Sequence, residues 1–162
     1  MAAALRSAWA GLPGWARWVL AVYLIGFAQG TGAHIADLMR GGIHAYSFAP
    51  QAWIQVFFVS LVVLDPLVVV LAGFVRREGI WLAAAVMALD VAANWIVNWA
   101  WLAQDPARLL HPVGLLPITL FGVFVLMTWL PLLRVMPDGQ PVGALNAASN
   151  DAWGGSRSKR RR

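Results

Sequence analysis

The chain has 162 residues, 60% of them hydrophobic and only 12% charged, with a formal net charge of +5. Soluble domains carry roughly 45–50% apolar and about 25% charged residues. With a mean hydropathy of +0.68, there is too much apolar surface and too little charge for a soluble enzyme, a disordered chain or a collagen-like fibre, which leaves an integral membrane protein of one small domain.

Residues 1–14 read as a cytoplasmic N-terminus, followed by a single transmembrane domain over 15–135. Four apolar stretches fill that domain, at about 15–35, 53–75, 80–102 and 115–135. Each approaches or exceeds the roughly 20 residues that an α-helix needs to cross about 30 Å of hydrocarbon. No period-2 alternation points to a β-barrel, and backbone groups in lipid must pair within their own segment. The expected fold is therefore an all-α integral membrane protein, an antiparallel four-helix transmembrane bundle. Helix breakers mark the connections: Gly41-Gly42 and Pro50, then Arg76 to Gly79, then Asp105-Pro106 and His111-Pro112. Residues 136–162 read as a disordered basic C-terminal tail on the cytoplasmic side.

The first span is the most polar, with Gln29, Gly30, Thr31, Gly32 and His34 in its second half. A secretory signal is its rival, because Thr31-Gly32-Ala33 has the small residues of a cleavage site. The bulky aromatic residues before the apolar run favour a retained anchor. Charge then orients the chain. Arg6, Arg17, Arg76, Arg77, Arg134, Arg157, Lys159, Arg160, Arg161 and Arg162 fall on one side, against Arg40 and Arg108 on the other. The positive-inside rule places both termini in the cytoplasm, most simply at a bacterial inner membrane. Trp9, Trp15, Trp18, Trp53, Trp81, Trp99, Trp101 and Trp129 near the span ends suit an aromatic belt. The basic tail suits anionic lipid rather than nucleic acid. The lipid bilayer is thus the first partner, and self-association to an oligomer is open.

Asp65 and Asp90 are the most informative positions, because a carboxylate inside a span costs several kcal/mol and marks an ion path, a relay or a ligand counter-ion. Asp65 lies ten residues before Val75 and Asp90 ten after Ile80, the span ends that flank the short connection, so at about 1.5 Å per residue both sit roughly 15 Å deep, near the midplane. Helices two and three are neighbours, so the carboxyls can face each other at one level. Two carboxylates so placed do not both ionise easily. The competing account is structural: a protonated Asp bonded across helices, or one serving carbonyls freed by Pro66.

Asp90, Asn94 and Asn98 follow at i, i+4 and i+8 and form one polar ridge. That ridge is either interhelical glue, worth about 0.6–2 kcal/mol per bond, or the wall of an outward-opening cavity that Gln29 and Gln55 also line. His34, His44, His111, Asp37 and Asp105 collect on the outer side. His34 and Asp37, at i and i+3, are the pair that a metal would use first, although the spacing matches no established metal pattern. Cysteine is absent, Ser60 has no base in view, and no cofactor is implied.

The layout resembles the EXPERA family of four-span membrane proteins, which includes sterol isomerases and a sterol-binding receptor. The resemblance rests on Asp37 at the end of span one and on Pro50-Gln51-Ala52-Trp53 opening span two. It rests also on the carboxylate followed by proline at Asp65-Pro66 and on the basic tail. It covers the first two spans, and the rest in architecture alone. Asn94-Trp95 and Asn98-Trp99 lie on span three, earlier than the family's Asn/Trp element, and the isomerases' acidic and histidine pattern is not reproduced. The resemblance implies a pocket for an apolar ligand with a polar or cationic group held by buried carboxylates. The leading functional expectation is binding or transport of a small hydrophobic or cationic molecule, or proton relay, through a midplane site at Asp65 and Asp90. A non-catalytic assembly partner comes second and a membrane isomerase third.

Overall fold

The computed structural model describes residues 2–110 and 114–137. His111 and the basic tail lie outside the described residues. The chain runs as α1 (Ala2–Gly11), α2 (Gly14–Gly41), a short 3-10 turn (Gly42–His44), α3 (Ala52–Gly73), α4 (Arg77–Gln104), a second 3-10 segment (Pro106–Leu110) and α5 (Leu115–Val135). There is no strand among the described residues. Helices α2, α3, α4 and α5 are each long and apolar enough to cross a membrane.

Within residues 1–14 the structure adds a helix. Ala2-Ala3-Ala4 opens α1, alanine being the best helix former, and Gly11 and Pro13 end it. Pro13, with φ at −60°, opens α2, where its missing N–H is no loss. Trp9 donates its indole N–H to the Gly73 carbonyl at 2.9 Å, which ties α1 to the end of α3.

Helix α2 continues six residues past Ile35. No proline interrupts its polar second half, and the Thr31 hydroxyl returns to the Phe27 carbonyl at 2.8 Å. It stops at Gly42, whose φ of 58° suits glycine and whose N–H bonds to the Leu38 carbonyl. The connection between α3 and α4 is tighter than the spacing of apolar residues implies. Val75 takes a φ of 57°. Val75 N–H bonds to Ala72 O at 2.9 Å, and Arg76 N–H to Leu71 O at 3.0 Å. Glycine ordinarily fills this capping position, and a β-branched residue is strained there. The Val75 side chain is buried in the core.

Helix α2 packs on α3, α3 on α4 and α4 on α5, and α2 meets α5 to close the ring. Tyr23 donates to the Val125 carbonyl at 2.9 Å, Phe27 meets Phe121 edge-on, Trp81 meets Trp129, and Trp95 donates to Thr119 at 3.0 Å. The core holds Leu20, Leu61, Val68, Ile80 and Leu132, all fully buried. The exterior is just as apolar: Trp18 is 76% exposed and Ile25 69%.

Candidate functional site

Cavity-lining residues on α2 recur at three- and four-residue spacing: Gly26, Gly30, Ala33, His34, Asp37 and Gly41. That spacing puts them on one helix face. Helix α3 adds Phe58 and Asp65, α4 adds Met87, Asp90 and Asn94, and α5 adds Pro117, Ile118 and Phe121. The connection after α2 folds Tyr46 and Phe48 over the same space. Together they enclose a half-open cavity of about 760 Å³. Its walls are largely aromatic and aliphatic, and its polar groups are few, as in small-molecule sites.

Asp65 and Asp90 are the two buried charged residues of the described chain, 5% and 7% exposed, and both face this cavity. Glycine makes room for the first. A Cβ on Gly30 would stand 2.6 Å from Asp65 Oδ2, and one on Gly26 would overlap the Phe121 ring. The polar ridge of α4 is tied along its own helix. Asn94 Nδ2 donates to the Asp90 carboxylate and to the Asp90 main-chain carbonyl, both at 3.0 Å. Asn98 Nδ2 donates to the Asn94 carbonyl at 2.8 Å. The bonds these two asparagines make are therefore intrahelical, not the interhelical glue that their spacing allowed.

Gln29 lines the cavity from α2, whereas Gln55 and Asn98 are not among its walls. Gln55 Nε2 donates to the Ala49 carbonyl at 2.6 Å and so holds the connection that precedes α3. Spacing alone could not distinguish these outcomes, because side-chain amides readily bond a nearby main-chain carbonyl, within a helix the one four residues back.

His34 and Asp37 belong to a chain of polar groups running from the cavity's closed end to its mouth. His34 Nε2 lies 3.9 Å from Asp65 Oδ2, and His34 Nδ1 lies 2.7 Å from the Tyr46 hydroxyl. Tyr46 in turn donates to Asp37 Oδ2 at 3.2 Å, so its oxygen accepts from the imidazole. Asp37 Oδ1 sits 3.7 Å from Arg40 Nη1 at the exposed rim. Burial, reinforced by Asp37, holds the Tyr46 phenol above its ordinary range, so it remains an O–H. Among the described residues no three His, Asp or Glu side chains converge as a metal would require.

Sequence reasoning missed Tyr46, Arg40 and the two glycines. The Gly26-x-x-x-Gly30 spacing in an apolar helix was the available signal, since small residues at that interval permit close approach. Tyr46 gave none, because only the folded connection brings it to His34. No protein-family profile, no curated protein and no solved structure matches the chain.

Proposed function

We propose that the chain is a multi-pass protein of a bacterial inner membrane, with both termini cytoplasmic, whose cavity binds a small, largely apolar molecule carrying a cationic group. Insertion is supported by four long apolar helices with exposed Trp, Ile, Val and Leu side chains, which lipid solvates without penalty. The antiparallel arrangement is supported by the pairings Tyr23–Val125 and Phe27–Phe121, in which position rises along α2 as it falls along α5. The orientation rests on the basic residues gathered at one end. The cavity then opens at the opposite, outer end.

One observation carries the ligand reading: a cavity of about 760 Å³ reaches both Asp65 and Asp90. Among the described residues no arginine pairs with either carboxyl, and the nearest basic side chain is His34, whose Nε2 lies 3.9 Å from Asp65 and carries charge only when protonated. Buried carboxylates with no fixed counter-charge are suited to a cation that arrives with the ligand. Phe27, Phe58, Met87, Ile118 and Phe121 provide the apolar and cation–π surface for the remainder. An assembly partner needs dry, closed packing at these positions, so an open cavity favours the ligand reading.

The test uses the full chain in lipid nanodiscs, with octyltrimethylammonium as the cation and 2,2-dimethyldecane as its neutral counterpart. The cation is expected to bind at least about tenfold more tightly, about 1.4 kcal/mol. Asp65→Asn and Asp90→Asn should each remove that preference while leaving the melting temperature in place, because an amide keeps the hydrogen bonds of an acid but cannot ionise. Equal binding of the two molecules, or cation binding indifferent to both substitutions, refutes the reading.

A further inference from the structure

The polar chain joining the cavity floor to its mouth has a direction. Side-chain exposure is 46% at Asp37, 16% at His34 and 7% at Asp65, with Tyr46, itself buried, joining the first two. His34 uses its two ring nitrogens on opposite sides, Nδ1 toward Tyr46 at 2.7 Å and Nε2 toward Asp65 at 3.9 Å. Tyr46 likewise sits between two groups, accepting from the imidazole and donating to Asp37 at 3.2 Å. A purely structural strap, pinning the connection after α2 to that helix, needs the His34–Tyr46–Asp37 bonds. It does not need Nε2 aimed at a buried carboxyl.

We infer that His34, Tyr46 and Asp37 form a proton path, by which the site releases a proton to the outer side when its cationic ligand arrives. The inference rests on the cation reading of the cavity and names what leaves in exchange. The groups facing His34 are Asp37 and Arg40 from its own helix, Asp65 from α3, Asp90 from α4 and Tyr46 from the connection. Gly114, just before α5, and the lining residues of α5, Pro117, Ile118 and Phe121, offer no titratable group.

Two carboxyls facing one low-dielectric cavity share a proton when no cation is present. Entry of the cation favours the ionised form. The Asp65 O–H bond breaks and an N–H bond forms at His34 Nε2. The N–H at Nδ1 breaks as the Tyr46 oxygen takes that proton. The original Tyr46 O–H breaks and a new O–H forms at Asp37 Oδ2, from which the proton passes to water at the mouth. One monovalent cation enters, one proton leaves, and no electron changes hands. A small rotation of Asp65 or His34 closes the 3.9 Å step to hydrogen-bond length, and reversal of the hops restores the starting tautomer.

The experiment follows proton release by stopped flow with a soluble pH dye in weak buffer, near the ordinary imidazole midpoint of roughly pH 6.5. The protein is the full chain in nanodiscs, and octyltrimethylammonium again serves as ligand. It has no ionisable proton, so every proton counted comes from the protein. The unaltered chain should release one proton per cation bound. Tyr46→Phe keeps the ring and its packing against Phe58. Its proton release, read at saturating cation so that any change in affinity drops out, should slow at least about tenfold, the lower side of what a positioned acid–base group contributes. His34→Gln should slow release similarly. Release at the original rate in both variants overturns the path, and leaves the cation reading standing. Cation binding without any proton release overturns the path as well. No preference for the cation over 2,2-dimethyldecane sinks both.

Discussion

The two ends of the bundle use glycine for opposite purposes. At the end that carries the α3–α4 turn, Gly79 brings main chains together: a Cβ there would stand 2.5 Å from the Ala72 nitrogen and 2.7 Å from the Leu71 carbonyl carbon. Around it Leu20, Val68, Ala72, Ile80 and Leu132 pack without exposure. From the middle of the bundle toward the end that carries the longer connections, Gly26 and Gly30 leave room for side chains, Phe121 and Asp65. There the same four helices enclose an open cavity. Hydrophobicity does not separate the halves. What separates them is whether small residues face backbone or a side chain that turns into open space.

The largest effect expected from this contrast comes from Gly79→Val. The added atoms meet main chain that cannot rotate away, so unfolding should become easier by about 3 kcal/mol, at the upper part of the overpacking range. Thermal unfolding in nanodiscs measures it, and an unchanged melting temperature would remove the backbone-packing account of that end. The matching substitution at the other end is Gly30→Ala. Its Cβ meets only the Asp65 carboxyl group, which can swing into the cavity, so stability should change by less than about 1 kcal/mol. Cation binding should nevertheless weaken at least about tenfold, since a displaced carboxylate loses its place in the site. A stability loss as large as that of Gly79→Val would make the two ends alike.

A second contrast concerns two phenols. Tyr23, fully buried, donates to the Val125 carbonyl and meets Thr128 at 2.9 Å. Tyr23→Phe removes an interhelical bond with no solvent to replace it and should cost about 1 kcal/mol. Tyr46 is also buried, but its partners are a half-exposed Asp37 and a His34 that lines the open cavity, both within reach of water, so Tyr46→Phe should cost less. A Tyr46→Phe melting temperature below that of Tyr23→Phe would reverse the ranking and turn the polar chain into a structural brace.

These contrasts also mark what the sequence made legible. The four long helices fall over the four apolar stretches, because a run of about 20 apolar residues is read by one solvent, lipid, along its whole length. Counting back from the tight turn pointed to Asp65 and Asp90 as neighbours, and both line the one cavity. Rotation about each helix axis was not legible, since the apolar exterior and the apolar core give no stripe to orient it. Thus Asn94 could be placed on the ridge with Asp90, but that Asn98 and Gln55 would bond to main-chain carbonyls away from the cavity could not be foreseen. Tyr46 depends on how a connection folds back over α2, and α1 depends on the Trp9 bond to Gly73. Both are long-range facts with no local pattern.

The smallest stability effect belongs to Asp90→Leu, and its sign discriminates between the two accounts of a buried carboxyl. A carboxyl that bonded across helices would leave an unsatisfied partner on another helix when removed, at a cost of about 1–3 kcal/mol. Here the Asp90 carboxylate accepts from Asn94 on its own helix, and Asn94 also bonds the main-chain carbonyl of residue 90, which leucine retains. One intrahelical bond is lost, while the desolvation of an acid is exchanged for apolar contact with a cavity wall that already includes Met87 and Ile118. Replacing a buried ionisable group by an apolar one of similar volume is often neutral or stabilising. The expected melting temperature is therefore equal to or slightly above that of the unaltered chain, with cation binding abolished. A destabilisation of about 2 kcal/mol or more, measured by thermal unfolding, would mean that Asp90 holds helices together. The loop end would then be as structural as the turn end.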